Sequence, residues 1–313
     1  MNGFNNIPDK VNNNIFIYNA DAADSFQVWN KPAGISMVNI VTIGGGGGGG
    51  AGYHGSASLI TARGGCGGAA GGLVSTTIPA ILLPDTLYLL VGKGGAGGPA
   101  YTDAVILNRT GSNGSSGDIS YVCLYPEINS GSVLIQSSQT RPGGGTGGQT
   151  TTQAAATAIT ITNANDLKWL GITGIVNTPT AAGVGSTTAA LSSITYVGFL
   201  TGGAGGGQIA NNGSGQGGGS VIMTNINAAF SISVPGGAFG VVAPGSVGFF
   251  KQSPFISTGG AGGGGTYNAS RGGRGGNGGR GAYGCGGGGG GSGGSFNGSG
   301  GDGGDGLIII TCS

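Results

Sequence analysis

Charge is scarce in this chain. Only 7% of its 313 residues are Asp, Glu, Lys or Arg, against about 25% in an ordinary domain. The formal net charge is +1. A basic surface for nucleic acid is therefore disfavoured, and so is an acidic solvating tail. His54 is the only histidine, so a Ser-His-Asp triad would have to use it. It sits in Gly52-Tyr53-His54-Gly55 beside a glycine run and reads as a loop residue, not a catalyst. The four cysteines, at 66, 123, 285 and 312, lie outside metal-site spacing of one another. They read as buried free thiols, or as a disulfide joining Cys66 to Cys285, since both stand inside glycine runs. No clean apolar run of about 20 residues exists to cross a membrane as a helix. The best window, Leu73 to Val91, contains Pro79, Pro84 and Asp85. The opening Met1-Asn2-Gly3-Phe4 lacks a basic flank and an apolar stretch, so no secretion leader is expected.

What the chain has instead is glycine: 79 residues, about a quarter of the total. Apolar residues still make up 37%, and they cluster in strand-like runs. Ile15 to Tyr18, Phe26 to Trp29 and Ile35 to Ile43 read as strands. Lys31-Pro32-Ala33-Gly34 is a turn. The third run leads directly into seven glycines, Gly44 to Gly50. That order recurs. Leu82 to Val91, read as a strand pair about Pro84-Asp85, runs into Gly92-Lys93-Gly94-Gly95. Ser132 to Ser137 precedes Gly143 to Gly145, and Thr195 to Leu200 precedes Gly202-Gly203. The last tract ends in a strand, Leu307 to Thr311. Between these, Thr157 to Thr162 alternates like a strand, and Asn165 to Gly171 reads as one helical turn.

The glycine tracts keep a register. Arg271, Arg274, Asn277 and Arg280 stand three apart, and Tyr283 continues the series. Phe296, Ser299, Asp302 and Asp305 repeat the spacing, as do Lys93, Ala96 and Pro99. A period of three matches the left-handed polyproline II helix. An x-Gly-Gly repeat then places every side chain on one edge and leaves two edges bare. This helix has no internal hydrogen bonds, and ordering its backbone costs about 1–2 kcal/mol per residue. Single helices cannot persist, whereas several side by side can pair N–H with C=O laterally. A flexible linker is the competing reading, but linkers do not grow out of apolar strands in register. Collagen is excluded by the short, proline-poor repeats.

The expected fold is mainly β with very little α-helix: sandwich-like strands carrying a packed bundle of polyglycine II helices. Residues 1–24 form an N-terminal arm and first strand. Residues 25–148 and 255–313 form two parts of one glycine-rich domain, with 149–254 an inserted Thr/Ala-rich β lobe. Gly-x-Gly-x-x-Gly matches recur, but no helix follows them, so a nucleotide fold is not indicated. Gly300 to Ile308 fits the nine-residue calcium-roll pattern once, with Asp305 at the acidic position. Such rolls use consecutive repeats, so neither a metal nor another cofactor is expected.

This order of strands and glycine runs resembles the glycine-rich domains of bacteriophage tail-fibre and adhesin proteins and of related virion proteins. The match covers roughly 25–145 and 257–313. It rests on Phe26 to Gly34 before Val38 to Gly50, on Leu83 to Gly95, and on Gly300 to Ile310. The resemblance implies a non-enzymatic virion surface protein: a fibre, spike or tip adhesin, made in the host cytoplasm, monomeric or homotrimeric. Its implied partners are other virion proteins and a host surface receptor, either a glycan or an outer-membrane protein. Receptor-contact candidates are Tyr53, His54, Tyr101, Phe249, Phe250, Phe255, Tyr267 and Tyr283, at breaks in the glycine tracts. The competing role for these rings is to seal the bundle. The helix edge would be Arg271, Arg274, Asn277, Arg280, Ser299, Asp302 and Asp305. Alternatives are a capsid decoration protein and a cellular extracellular filament or matrix protein. An ice-binding face would need a repeated Thr or Ala row, and the third positions here vary from Arg to Asp to Phe.

Overall fold

The computed structural model describes residues 14–55, 62–103, 108–150, 153–156, 159, 175–177, 194–196, 200–209, 215–224, 231–251, 255–266 and 273–313. Strands form at Asn14–Asn19 (β1), Gln27–Asn30 (β2), Met37–Ile43 (β3), Leu73–Pro79 (β4), Thr86–Leu90 (β5), Tyr121–Cys123 (β6) and Val133–Gln136 (β7). Then follow Ile175–Asn177 (β8), Ile194–Tyr196 (β9), Val221–Thr224 (β10), Ser231–Val234 (β11), Phe250–Lys251 (β12), Ile256–Ser257 (β13) and Leu307–Cys312 (β14). One 3-10 turn, Ala80–Leu82, is the only helix among the described residues. The fold is mainly β.

Two antiparallel sheets form a sandwich. One has the order β1-β14-β3-β4-β8 and the other β2-β5-β6-β7. Alternate residues of each strand point inward, so Val38 and Ile40 of β3 meet Ile308 and Ile310 of β14. Trp29, Leu87, Leu89, Val122 and Ile135 close the core from the second sheet. The outer face of the first sheet is covered as well. Ile17, Val41 and Ile309 pack with Leu200, Phe255 and Tyr283. Burial on both faces explains why β3 and β14 read as almost continuous apolar runs.

Beyond the sandwich, its strands continue as glycine helices. Gly44 to Gly52, leaving β3, forms the axis of the bundle. Its N–H groups donate laterally in a strict cycle of three. Gly44, Gly47 and Gly50 donate to the carbonyls of Gly72, Ala69 and Cys66. Gly45, Gly48 and Ala51 donate to Asp118, Ser115 and Ser112. Gly46, Gly49 and Gly52 donate to Gly304, Gly301 and Gly298. All nine bonds are 2.8 or 2.9 Å long. The carbonyls cycle in the same way, accepting from the segments 95–98, 145–148 and 287–290. Six neighbours therefore surround one helix, three antiparallel and three parallel. Five of them lead into or out of the sandwich strands β4, β5, β6, β7 and β14; the sixth is 285–292. That segment is itself ringed, since Gly286 and Gly289 donate to Thr201 and Ala204, and Gly288 and Gly291 to Gly279 and Gly276.

Close approach requires bare Cα atoms at the ringed positions. A Cβ on Gly47 would lie 2.1 Å from the Gly143 carbonyl oxygen, and one on Gly288 would lie 2.0 Å from that of Ala261. Two buried serines manage the change from strand to helix. The Ser120 hydroxyl donates to the Ile43 carbonyl at 2.6 Å and accepts from the Gly92 N–H at 2.9 Å. The Ser137 hydroxyl accepts from the Ser120 N–H at 3.0 Å.

Several expectations need correction. Leu82 to Val91 is not a strand pair: it holds the single strand β5, and the strand before it, β4, belongs to the other sheet and ends at Pro79, where the 3-10 turn Ala80–Leu82 carries the chain across. Described parts of the segment 149–254 join the glycine lattice. Its Gly203 and Gly206 donate to Gly68 and Gly65, and its Gly237 donates to Gly262. The four cysteines are buried free thiols, as their first reading has it, and only the alternative of a Cys66–Cys285 disulfide falls. The Cys66 thiol points at the Ala154 carbonyl oxygen at 3.5 Å, and that of Cys285 at the Ser257 hydroxyl at 3.4 Å. Most of Thr157 to Thr162, and all of Asn165 to Gly171, lie outside the described residues.

Replacing Gly47 by Ala should destabilise the protein by about 1–3 kcal/mol or more, because a backbone oxygen blocks the methyl group. Val247→Ala, on an exposed edge, should cost less than about 1 kcal/mol. Urea unfolding of both variants checks the contrast. Burial pushes the Cys285 thiol from 9.0 up to about 12. The folded state keeps this proton between those values while the unfolded state loses it. Its contribution is therefore complete below pH 9 and is lost as pH rises toward 12. The slope should approach about 1 kcal/mol per pH unit. Unfolding midpoints at stepped alkaline pH should fall less steeply in Cys285→Ser than in the parent.

Candidate functional site

Side chains can leave the lattice only at outer helix edges, which makes those edges the chemical surface of the bundle. Four outer helices lie side by side. In the first, Gly245 and Gly248 donate to the carbonyls of Asn277 and Arg280 in the second. In the second, Gly278 and Gly281 donate to Ser299 and Asp302 in the third. The third, through Gly300, Gly303 and Gly306, donates to Gly98, Gly95 and Gly92 in the fourth. Each helix shows one row of side chains, one per turn, about 9 Å apart.

The four rows differ in chemistry. The first is apolar: Pro244 and Val247 on the helix, with Val241 in the turn before it and Phe250 at the start of β12, all exposed. The second carries Arg274, Asn277 and Arg280, also exposed. The third carries Ser299, Asp302 and Asp305, and the fourth Lys93, Ala96 and Pro99. The result is a ruled face with an apolar line beside a cationic and amide line beside an acidic line.

The acidic row also completes the lattice. Gly94 N–H donates to Asp305 Oδ1 at 3.0 Å, and Gly97 N–H to Asp302 Oδ1 at 2.8 Å. Asp305 Oδ2 meets the Arg280 guanidinium at 2.9 Å. Both oxygens of Asp305 are thereby committed to the bundle, which removes it from the calcium-roll role that the motif suggested. Asn277 Oδ1 accepts from Ser299 N–H at 3.1 Å. Arg274 has no carboxylate partner among the described residues. Its guanidinium lies over the Phe296 ring, 4.8 Å from the centroid.

Glycine content, lateral ladder and edge rows recur through the described residues, and the sequence profile of the glycine-rich domain matches residues 21–313. The chain belongs to the glycine-rich domain family. No curated protein matches it. The family match spans the middle segment as well as both flanks, in accord with the weaving of Gly203 and Gly206 into the lattice.

Two clefts cross the ruled face of this glycine-rich domain. One, of about 600 Å³, lies between Tyr101, Val242, Pro244, Arg274, Phe296 and Ser299. The other, of about 360 Å³, lies between Val247, Phe250, Arg280, Tyr283 and Asp305. Among the described residues no helix is long and apolar enough to cross a membrane, and no group of His, Cys, Asp and Glu could hold a metal ion.

The receptor-contact candidates separate under this geometry. Tyr53 and His54 are 4% and 0% exposed and cannot present their rings outward. Their segment is drawn inside because Tyr53 N–H donates to Arg63 and His54 N–H to Arg109. His54 Nε2 stands 2.8 Å from the Ser295 carbonyl oxygen, so that nitrogen carries the proton and donates it. Tyr101 lines the larger cleft, with Arg109 over its ring at 4.5 Å and its hydroxyl donated to Thr110. Phe255 and Tyr283 are half-buried and seal the outer face of the first sheet. Phe250 meets both edge-on, at 5.6 and 5.0 Å between centroids. Among the described candidates only Phe249 and Phe250 are exposed, at 39% and 38%. Tyr267 and Arg271 lie outside the described residues.

Sequence reasoning missed the row Val241, Pro244, Val247 and its continuation into Phe250. The signal was present as a spacing of three, but the intervening residues include Val, Ala and Ser as well as glycine. It also missed Asn297, whose Oδ1 accepts from Tyr101 N–H at 2.7 Å and whose Nδ2 donates to the Gly52 carbonyl at 2.6 Å.

Truncating an acidic edge residue should expose one backbone donor. Asp302→Ala should speed amide exchange at Gly97 and cost about 1 kcal/mol, whereas Asp302→Asn, which keeps the acceptor oxygen, should restore protection. Residue-resolved hydrogen exchange reads both.

Proposed function

We propose that this glycine-rich domain is a non-enzymatic structural and adhesive protein of a virus particle, a surface fibre, spike or tip adhesin that attaches to a host receptor. The observation that carries this reading is the laterally bonded bundle fed by sandwich strands. Its outer rows hold side chains at fixed positions on a stiff support, which suits repeated contact with an outside surface.

The polarity of the molecule supports the same reading. At the sandwich end, away from the bundle, Ile81 is 90% exposed, Leu82 53%, Tyr125 60% and Ile128 52%. Exposed apolar side chains of this size suit docking onto another protein, here other proteins of the particle. The opposite end and the ruled face remain for the receptor, a glycan or an outer-membrane protein. His54, the only histidine, holds a loop through Ser295 and has no part in chemistry under this proposal.

The same exposed apolar end favours a second reading, a cellular extracellular filament or matrix protein that assembles on its own. Electron microscopy of purified particles with a gold-labelled antibody against the bundle distinguishes them. Label at the particle surface, and inhibition of attachment by the same antibody, is the expected outcome. Absence of the protein from purified particles, with regular fibres forming from the protein alone, overturns the first reading in favour of the second.

A further inference from the structure

We propose that the trough between the Val241–Phe250 row and the Arg274–Arg280 row binds an extended acidic polysaccharide laid along the helix axes. The inference rests on the attachment reading above and narrows it to one receptor class.

Geometry comes first. The two rows run parallel, because Gly245 and Gly248 of one helix bond in order to Asn277 and Arg280 of the other. Pro244 and Val247 on one helix, and Arg274, Asn277 and Arg280 on the other, stand one turn apart, about 9 Å. Two clefts open along these rows, one at Arg274 and one at Arg280. Clefts spaced along parallel rows suit a linear polymer with a repeating unit, whereas a compact ligand would use only one of them.

The chemistry of the walls identifies the polymer. One wall is apolar, with Val247 and Phe250 exposed. The other presents a guanidinium, an amide and a guanidinium. A sugar ring has the complementary pair of surfaces: a C–H face that packs on apolar side chains and a hydroxyl rim that accepts from planar N–H donors. A protein partner fits less well, since protein interfaces centre on a broad core with charge depleted. Here the apolar line is one side chain wide and is bordered along its length by Arg274 and Arg280.

Arg274 sets the charge. Arg280 is held by Asp305, whereas Arg274 lines the larger cleft with no carboxylate partner among the described residues. A guanidinium stacked on Phe296 still offers its N–H fork in plane, and that fork matches a carboxylate in a bidentate manner. The ligand that supplies one is a uronate or similar acidic sugar.

Affinity electrophoresis of the purified protein tests this, in native gels containing polygalacturonate, hyaluronate or an unsubstituted linear β-glucan. Retardation by at least one of the two acidic polymers is expected, with little by the neutral one. Arg274→Ala and Phe250→Ala should each weaken retardation about tenfold, and Arg274→Lys should recover only part of the loss. Arg141→Ala, which removes a cation paired with Asp118 outside the trough, should bind as the parent does. Thermal unfolding confirms that each variant is folded. No retardation by either acidic polymer, equal retardation by the glucan, or unchanged binding in Arg274→Ala and Phe250→Ala overturns the inference. The assay needs no particle. Protein found on particles but not retarded sinks the polysaccharide inference alone, and retarded protein absent from particles sinks the attachment reading alone.

Discussion

Lateral pairing of bare backbones governs this molecule. A polyglycine II helix cannot satisfy its own N–H and C=O groups, so each must find a partner on a neighbour or face water. Gly44 to Gly52 has nine donors, and each finds a carbonyl on one of three surrounding segments. The arrangement works only with helices on every side, which makes the bundle cooperative in cross-section. It also fixes composition. Ringed positions admit Gly, and the few exceptions such as Ala69, Ala204 and Cys285 are small. Large side chains are restricted to the rim.

The sandwich solves the problem that such a lattice cannot solve alone. Glycine loses more conformational freedom on ordering than any other residue, and each lateral bond returns only about 1 kcal/mol net. Hydrophobic burial of Trp29, Leu87, Leu89, Ile308 and their neighbours supplies a stabilising term that glycines lack. Strand pairing also sets the position of each helix before the bundle begins. β3 pairs with β14 and β4 in fixed register, so 44–52 leaves the sandwich already aligned with 298–306 and 62–72. Ser120 and Ser137 carry the backbone bonding across the change from a two-residue to a three-residue repeat.

This division explains what could be read from the amino-acid order. The threefold helix was legible at Arg274, Asn277 and Arg280 because isolated large residues interrupt pure glycine there. It was not legible at Val241, Pro244 and Val247, where neighbouring positions also carry side chains. The strands β3 and β14 announced themselves through β-branched runs, whereas β4 was hidden by the prolines that follow it. Burial of Tyr53 and His54 followed from pairing with Arg63 and Arg109, contacts that no local pattern encodes. The segment 201–207 was legible as another glycine run after a strand, but its partners at 65–68 and 260–263 were not, since they lie far away in the chain.

A further consequence concerns how surface chemistry relates to fold. In most domains an exposed residue shares its element with buried ones, so surface and core constrain each other. Here the backbone alone makes the bundle, and an edge side chain such as that of Arg274 or Val247 leaves the lattice without supporting it. The exceptions are edge residues that accept a backbone donor: Asp302 and Asp305 accept from Gly97 and Gly94, and Asn277 from Ser299. Edges that only display can therefore change identity at small cost, while edges that also accept cannot. A protein whose task is recognition benefits from that separation, and the guanidinium of Arg274, without a carboxylate partner among the described residues, stands on the side that is free to vary.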